Sequence, residues 1–171
     1  IIQALSLLNS KRVIIPTYTC HDILRAVKQS NCEYLIVDCS LDLQIDVTEV
    51  IKNAKDYDTV IVPHMFGIRA DVESIRKNTD LKIIEDLSQC HGLNGLGQYA
   101  DIVVSSTNKS KWINLHGGGF LFANEKLNLP VVDFNMFVPK IETHLRRRIE
   151  LAMEIKDAGV ELIGKESSYL R

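Results

Sequence analysis

Short apolar runs alternate with amphipathic stretches along most of the chain. Val13-Ile14-Ile15, Leu35-Ile36-Val37, Val60-Ile61-Val62, Ile83-Ile84 and Ile102-Val103-Val104 are apolar at consecutive positions and rich in β-branched residues. Each predicts a strand buried on both faces, at 12–16, 34–38, 59–63, 81–85 and 101–105. Between them, 21–28, 46–54 and 70–77 read as helices, with Asp46 as the N-cap of the second. Ile1, Ile2, Ala4, Leu5 and Leu8 form the apolar face of a helix already under way. Such strands, covered by helices on each side, predict an α/β three-layer sandwich with a mostly parallel sheet. The run at 119–123 is different, because the loop before it leaves little room for a crossover helix. A parallel return needs a dozen or more residues, usually helical, so this strand is predicted to run antiparallel. The last third predicts one long helix over 140–157, with Ile141, Leu145, Ile149 and Met153 at four-residue steps and Gly159 ending it.

In open α/β sheets ligands bind beyond the carboxyl ends of the strands. The predicted ends gather chemically useful residues: Thr17, Thr19 and Cys20; Asp38; His64; Asp86, Gln89 and His91; Ser105, Ser106, Lys109 and Lys111. An acid at one strand end and a lysine at another suit pyridoxal phosphate (PLP). The lysine forms a Schiff base with the aldehyde, and the acid keeps the pyridine nitrogen protonated so that the ring acts as an electron sink. Plainer readings stand beside this one. Asp86 also fits the N-cap of a following helix. Lys109 and Lys111 also fit surface lysines, which are poor nucleophiles unless burial activates them.

His64 and His91 read as hydrogen-bonded core histidines. Cys20-His21 and Cys90-His91 lack the spacing of a four-ligand metal site, so no metal is expected. Arg146-Arg147-Arg148 reads as a solvated helix face rather than a diphosphate contact. Gly117 to Gly119 lacks the phosphate-loop pattern and reads as a tight turn.

Composition narrows the field. The chain has 171 residues, 46% hydrophobic and 25% charged, which is ordinary for a globular protein with a real core. A net charge of -2 gives no electrostatic case for nucleic acid or an anionic membrane as partner. No apolar run is long enough to span a bilayer and no signal-peptide pattern opens the chain. Four cysteines without C-x-x-C spacing read as reduced thiols of a cytoplasmic protein. The ends look cut, as if the chain were part of a larger protein.

Four segments in order and spacing resemble the DegT/DnrJ/EryC1/StrS family of sugar aminotransferases, PLP enzymes of fold type I. They are Val13-Ile14-Ile15-Pro16-Thr17-Tyr18-Thr19; Val62-Pro63-His64-Met65-Phe66-Gly67 with Ala70-Asp71; Ile84-Glu85-Asp86 with Gln89 and His91-Gly92; and Ser106 through Gly119. The resemblance implies a large cofactor-binding domain over 1–135. It also implies that 136–171 is the long helix and the start of a small C-terminal domain. It gives Asp86 the pyridine nitrogen, Gln89 the ring hydroxyl, Ser106 the phosphate and Lys111 the Schiff base, with Lys109 competing for the last role. Lys111 stands where related sugar dehydratases carry a His, which favours amino transfer.

Cys20 occupies the place of the family's frequent ring-stacking aromatic, and His116 that of a small residue. The phosphate-binding turn of the family would precede Ile1. The implied activity is transfer of an amino group from an amino-acid donor to a nucleotide-linked keto sugar, in surface polysaccharide or related biosynthesis. The implied assembly is a homodimer, with Asn135 reaching across the interface. A scaffold that keeps the fold without the chemistry, and a fold type I enzyme acting on amino acids, are the alternatives.

Overall fold

A computed structural model describes residues 1–90, 94–111, 113 and 117–123. His91, Gly92, His116, Asn135, Arg146 to Arg148 and the helix expected over 140–157 lie outside the described residues. The chain divides into a unit Ile1–Leu127 and a second, Asn128–Arg171, which falls wholly outside them.

The first unit holds six strands: β1 (Arg12–Pro16), β2 (Glu33–Val37), β3 (Thr59–Pro63), β4 (Lys82–Asp86), β5 (Ile102–Ser106) and β6 (Gly119–Ala123). They form one sheet in the order β2-β1-β3-β4-β5-β6. The first five run parallel, and β6 returns antiparallel along β5, with Ser106 opposite Gly119. The close return needs a glycine, because a Cβ at Gly119 would run into the Ser105 carbonyl oxygen.

Alternation along each strand sorts the core into two clusters, one per sheet face. Val13, Ile15, Ile61, Ile84, Ile102 and Val104 pack with Ala4 and Leu5 of α1 (Ile2–Leu7) and Ile23 and Val27 of α2 (His21–Gln29). Ile14, Val60, Val62 and Ile83 pack with Val50 of α3 (Val47–Asn53) and Val72 and Ile75 of α4 (Val72–Asn78). The result is the three-layer arrangement expected from continuous apolar strands. Asp46 caps α3 through Thr48 N–H and Glu49 N–H. Asp71 caps α4 through Ser74 N–H, which is why that helix begins at Val72 and not at Ala70.

β1 and β3 are neighbours, and the chain leaves β1 toward β2 on one side and β3 toward β4 on the other. Such a switch opens a crevice at the carboxyl edge of the sheet.

Candidate active site

The carboxyl edge carries a cleft of about 320 Å³ lined by Thr19, Cys20 and Asp22 after β1, Pro63, His64 and Met65 after β3, Asp86, Ser88 and Gln89 from β4 onward, and Ser106, Asn108, Ser110 and Lys111 from β5 onward. A second cleft of about 510 Å³ is lined by Phe66, Gly67, Ser88, Gln89, Ser110 and Lys111. Asp86, Gln89, Ser106, Lys111 and Cys20 therefore line one space, although up to ninety-odd residues separate them in sequence. Lys109 lines neither cleft; its N–H bonds the Asn108 side chain at 2.8 Å. Lys111 N–H bonds the Asn108 carbonyl at 2.9 Å, closing a turn that sets its side chain against both clefts.

Asp86 is the last residue of β4 and sits opposite Pro63. Its Oδ1 accepts from Ser88 N–H at 2.9 Å, and Ser88 Oγ accepts from Ser106 N–H at 3.0 Å. The acid thus caps a turn, not a helix: residues 87–90 are not helical. This Asp86–Ser88–Ser106 chain ties the β4 loop to the β5 loop, so the acid and the lysine-bearing turn share one frame. Sequence reasoning passed over Ser88, although an Asp-x-Ser step after a strand is a turn signal.

Strand alternation gives the neighbouring acid a different fate. Glu85 faces the α3/α4 side and is buried beside His64, with side chains 2% and 0% exposed. His64 Nδ1 accepts from Ala70 N–H at 3.0 Å, so the ring is the Nε2–H tautomer and Nε2 donates to Glu85 Oε2 at 3.0 Å. Gly97 N–H donates to the same oxygen at 2.8 Å. His64 is thus the bonded core histidine that its sequence suggested, and its ring closes the 64–70 loop into a staple.

Gln44, also buried, holds the next residue: its Oε1 accepts from Met65 N–H at 3.1 Å and its Nε2 donates to the Met65 carbonyl at 3.3 Å. No local signal in Leu41-Asp42-Leu43-Gln44 marks that role. Among the described residues, Thr19 Oγ1 is the buried side-chain polar atom without a hydrogen-bond partner.

Cys20 is exposed at the start of α2, with its thiol 3.8 Å from the Asp22 carboxylate. Cys32 and Cys90 are buried, and burial pushes both thiols above the ordinary range. All four cysteines are unpaired thiols. Among the described residues no helix is long and apolar enough to cross a membrane.

The DegT/DnrJ/EryC1/StrS aminotransferase family matches residues 1–130. The chain is 32% identical over 139 residues to 3-oxo-glucose-6-phosphate:glutamate aminotransferase of Bacillus subtilis (strain 168), covering 77% of this chain and 32% of that protein. It is 27% identical over 132 residues to GDP-perosamine synthase of Escherichia coli O157:H7, covering 72% of this chain and 36% of that protein. The chain therefore spans about a third of the length of these relatives.

The solved structure of NtdA from Bacillus subtilis with bound cofactor PMP superposes with a TM-score of 0.69 at 27% identity, over 73% of this chain and 31% of that one. DesV from S. venezuelae, in complex with a ketimine intermediate, shares the fold with a TM-score of 0.66 at 24% identity, over 72% of this chain and 37% of that one.

Proposed function

We propose that this chain, which belongs to the DegT/DnrJ/EryC1/StrS aminotransferase family, is the cofactor-binding part of a PLP-dependent enzyme that turns a keto sugar into an amino sugar. The observation that carries the reading is the convergence of Asp86, Gln89, Ser106 and Lys111 on one cleft. The donor set fits the group: a carboxylate for a protonated ring nitrogen, an amide for a ring oxygen, a hydroxyl for a phosphate and a primary amine for an aldehyde. When bound, PLP supplies a ring that takes up the electron pair left at a donor's α-carbon.

The chain's own residues do the rest. Asp86 would hold the proton on the ring nitrogen, with its Ser88 bond keeping the carboxylate in place. Lys111 Nζ would hold the cofactor through its aldehyde and, as a free amine, would carry the proton from the donor's α-carbon. Cys20, which lines the same cleft at the start of α2, would offer the ring a small polarizable surface. Lys111, rather than Lys109, is the reactive lysine in this reading.

The acceptor is a nucleotide-linked keto sugar and the donor glutamate or a similar amino acid, serving surface polysaccharide or related biosynthesis. A relative named for a GDP sugar supports the first part; one named for a glucose 6-phosphate derivative and glutamate supports the donor and favours a sugar phosphate as the second reading. Residues 1–135 form the large domain and 136–171 open the small one. The enzyme works in the cytoplasm as a homodimer, which the unpaired thiols and the exposed Leu41, Leu43 and Ile68 support.

The test is borohydride reduction of full-length protein with PLP, followed by peptide mass spectrometry. A pyridoxyl group on Lys111 supports the reading, and a group on Lys109 moves the catalytic lysine. No label on folded protein replaces the enzyme with a scaffold. Unreduced PLP-loaded protein is then given glutamate with a nucleotide-linked keto sugar or a keto-sugar phosphate, which separates the two acceptors.

A further inference from the structure

Phe66 adopts φ 57°, a left-handed backbone that a bulky non-glycine residue rarely takes, with Gly67 following at φ 76°. Such a conformation persists where its surroundings over-determine it. Here His64 is fixed through both ring nitrogens, and the Met65 peptide is gripped at both ends by Gln44. The Phe66 ring lies 5.9 Å from that of Tyr18. The kinked backbone sends the Phe66 N–H to Gln89 Oε1 at 3.3 Å.

A backbone N–H can only donate, so the amide oxygen of Gln89 must face Phe66. The two amide hydrogens on Nε2 are then carried on the other side of the group, in a residue that lines both clefts. A flipped amide would set Nε2 against the N–H, donor against donor.

We propose that Phe66, held left-handed by the His64 and Gln44 anchors, is a positioning residue that fixes the facing of the Gln89 amide, so that its N–H₂ and not its oxygen meets the ring oxygen of the bound cofactor. This rests on the cofactor reading above. Without the Phe66 bond the amide is able to rotate, and a carbonyl oxygen against an anionic ring oxygen is repulsive. With it, the donor favours the anionic, deprotonated form of the lysine-bound cofactor and so lowers the pH at which its visible band titrates.

The experiment is absorbance titration of full-length PLP-loaded protein. Gln89→Ala, which removes the donor, raises the titration midpoint by about one pH unit, the size of one hydrogen bond to a charged oxygen. Phe66→Val raises it similarly, because a β-branched residue rejects positive φ and the N–H turns away. Phe66→Gly and Phe66→Asn accept the left-handed backbone, so both stay within about 0.2 units of the wild type.

Phe66 is 57% exposed, so none of these substitutions opens the core. A shift in Gln89→Ala with none in Phe66→Val overturns the positioning role while leaving the cofactor contact intact. Equal shifts in Phe66→Gly and Phe66→Val also overturn it, because the ring and not the backbone would then matter. No shift in Gln89→Ala removes the contact and the device together.

Discussion

Replacing Glu85 by Leu removes the acceptor at the centre of the His64 staple without changing side-chain volume greatly. Among the described residues two donors then lose their partner, His64 Nε2–H and Gly97 N–H. A buried donor left unsatisfied costs about 1–3 kcal/mol. His64 is fully buried and takes the upper figure, whereas Gly97 is only part-buried and takes the lower. The expected loss is about 4 kcal/mol, inside the ~3–5 kcal/mol seen when one member of a buried pair is removed.

Glu85→Gln keeps an acceptor for both donors and loses only the charge assistance, so it costs roughly 1–2 kcal/mol. His64→Leu orphans the Ala70 N–H and strands the carboxylate. The double Leu variant leaves only two backbone donors, Ala70 and Gly97, and so costs about half the sum of the two single losses. Urea unfolding at unchanged m-value measures all four, with amide exchange at Ala70 and Gly97 as the local readout. Glu85→Leu within about 1 kcal/mol of the wild type, or single losses that simply add, would refute the claim that this pair closes the loop.

Gly119→Ala forces a methyl group against the Ser105 carbonyl and lowers stability by about 1–3 kcal/mol in thermal unfolding; an unchanged melting point would mean that β5 and β6 are not so close. Cys20 reacts first with iodoacetamide at neutral pH while Cys32 and Cys90, buried with raised thiol pKa values, lag behind. Added PLP slows the Cys20 reaction, and a rate indifferent to PLP would place Cys20 away from the cofactor. Asp71→Ala costs about 1 kcal/mol at neutral pH through loss of the α4 cap. Hydrogen bonds from Ser74 hold the Asp71 carboxyl below its usual range, so its contribution is complete above the unfolded carboxylate pKa of ~3.9 and fades as pH falls through the lower folded value. Denaturation curves of variant and wild type should therefore converge in acid; a constant gap down to the acid limit would contradict the capping role.

The sheet was legible because its signals are local and redundant. Val60-Ile61-Val62 cannot face water on either side, and the strand at Thr59–Pro63 follows. The antiparallel β6 followed from a length argument alone, and the Ser106–Gly119 pairing bears it out. Boundaries slipped by one residue at β2, β4 and β5, and by two at the start of α4, where the Asp71 cap decides it. The staple was not legible. In Ile83-Ile84-Glu85-Asp86 the first acid looks like any surface glutamate, and its partner lies 21 residues away. Its burial follows from which face each position takes, and that requires the helices to be in place. Gln44 gave no signal at all, and the left-handed Phe66 was hinted only by the glycine after it.

The order of two letters in β4 decides which carboxylate meets the solvent-open cleft and which is sealed beneath it. Deleting one residue from Lys82-Ile83-Ile84 would leave a strand of nearly the same hydrophobicity and pairing length. It would nonetheless turn both acids to the opposite faces, Glu85 into the place of Ile84 in the α1/α2 core and Asp86 into the place of Glu85 against His64. The segment is thus tolerant of most point substitutions among aliphatic residues, yet intolerant of any odd-numbered change in length. Directed evolution of this scaffold should recover conservative exchanges at Ile83 and Ile84 freely, and single-codon insertions or deletions there almost never.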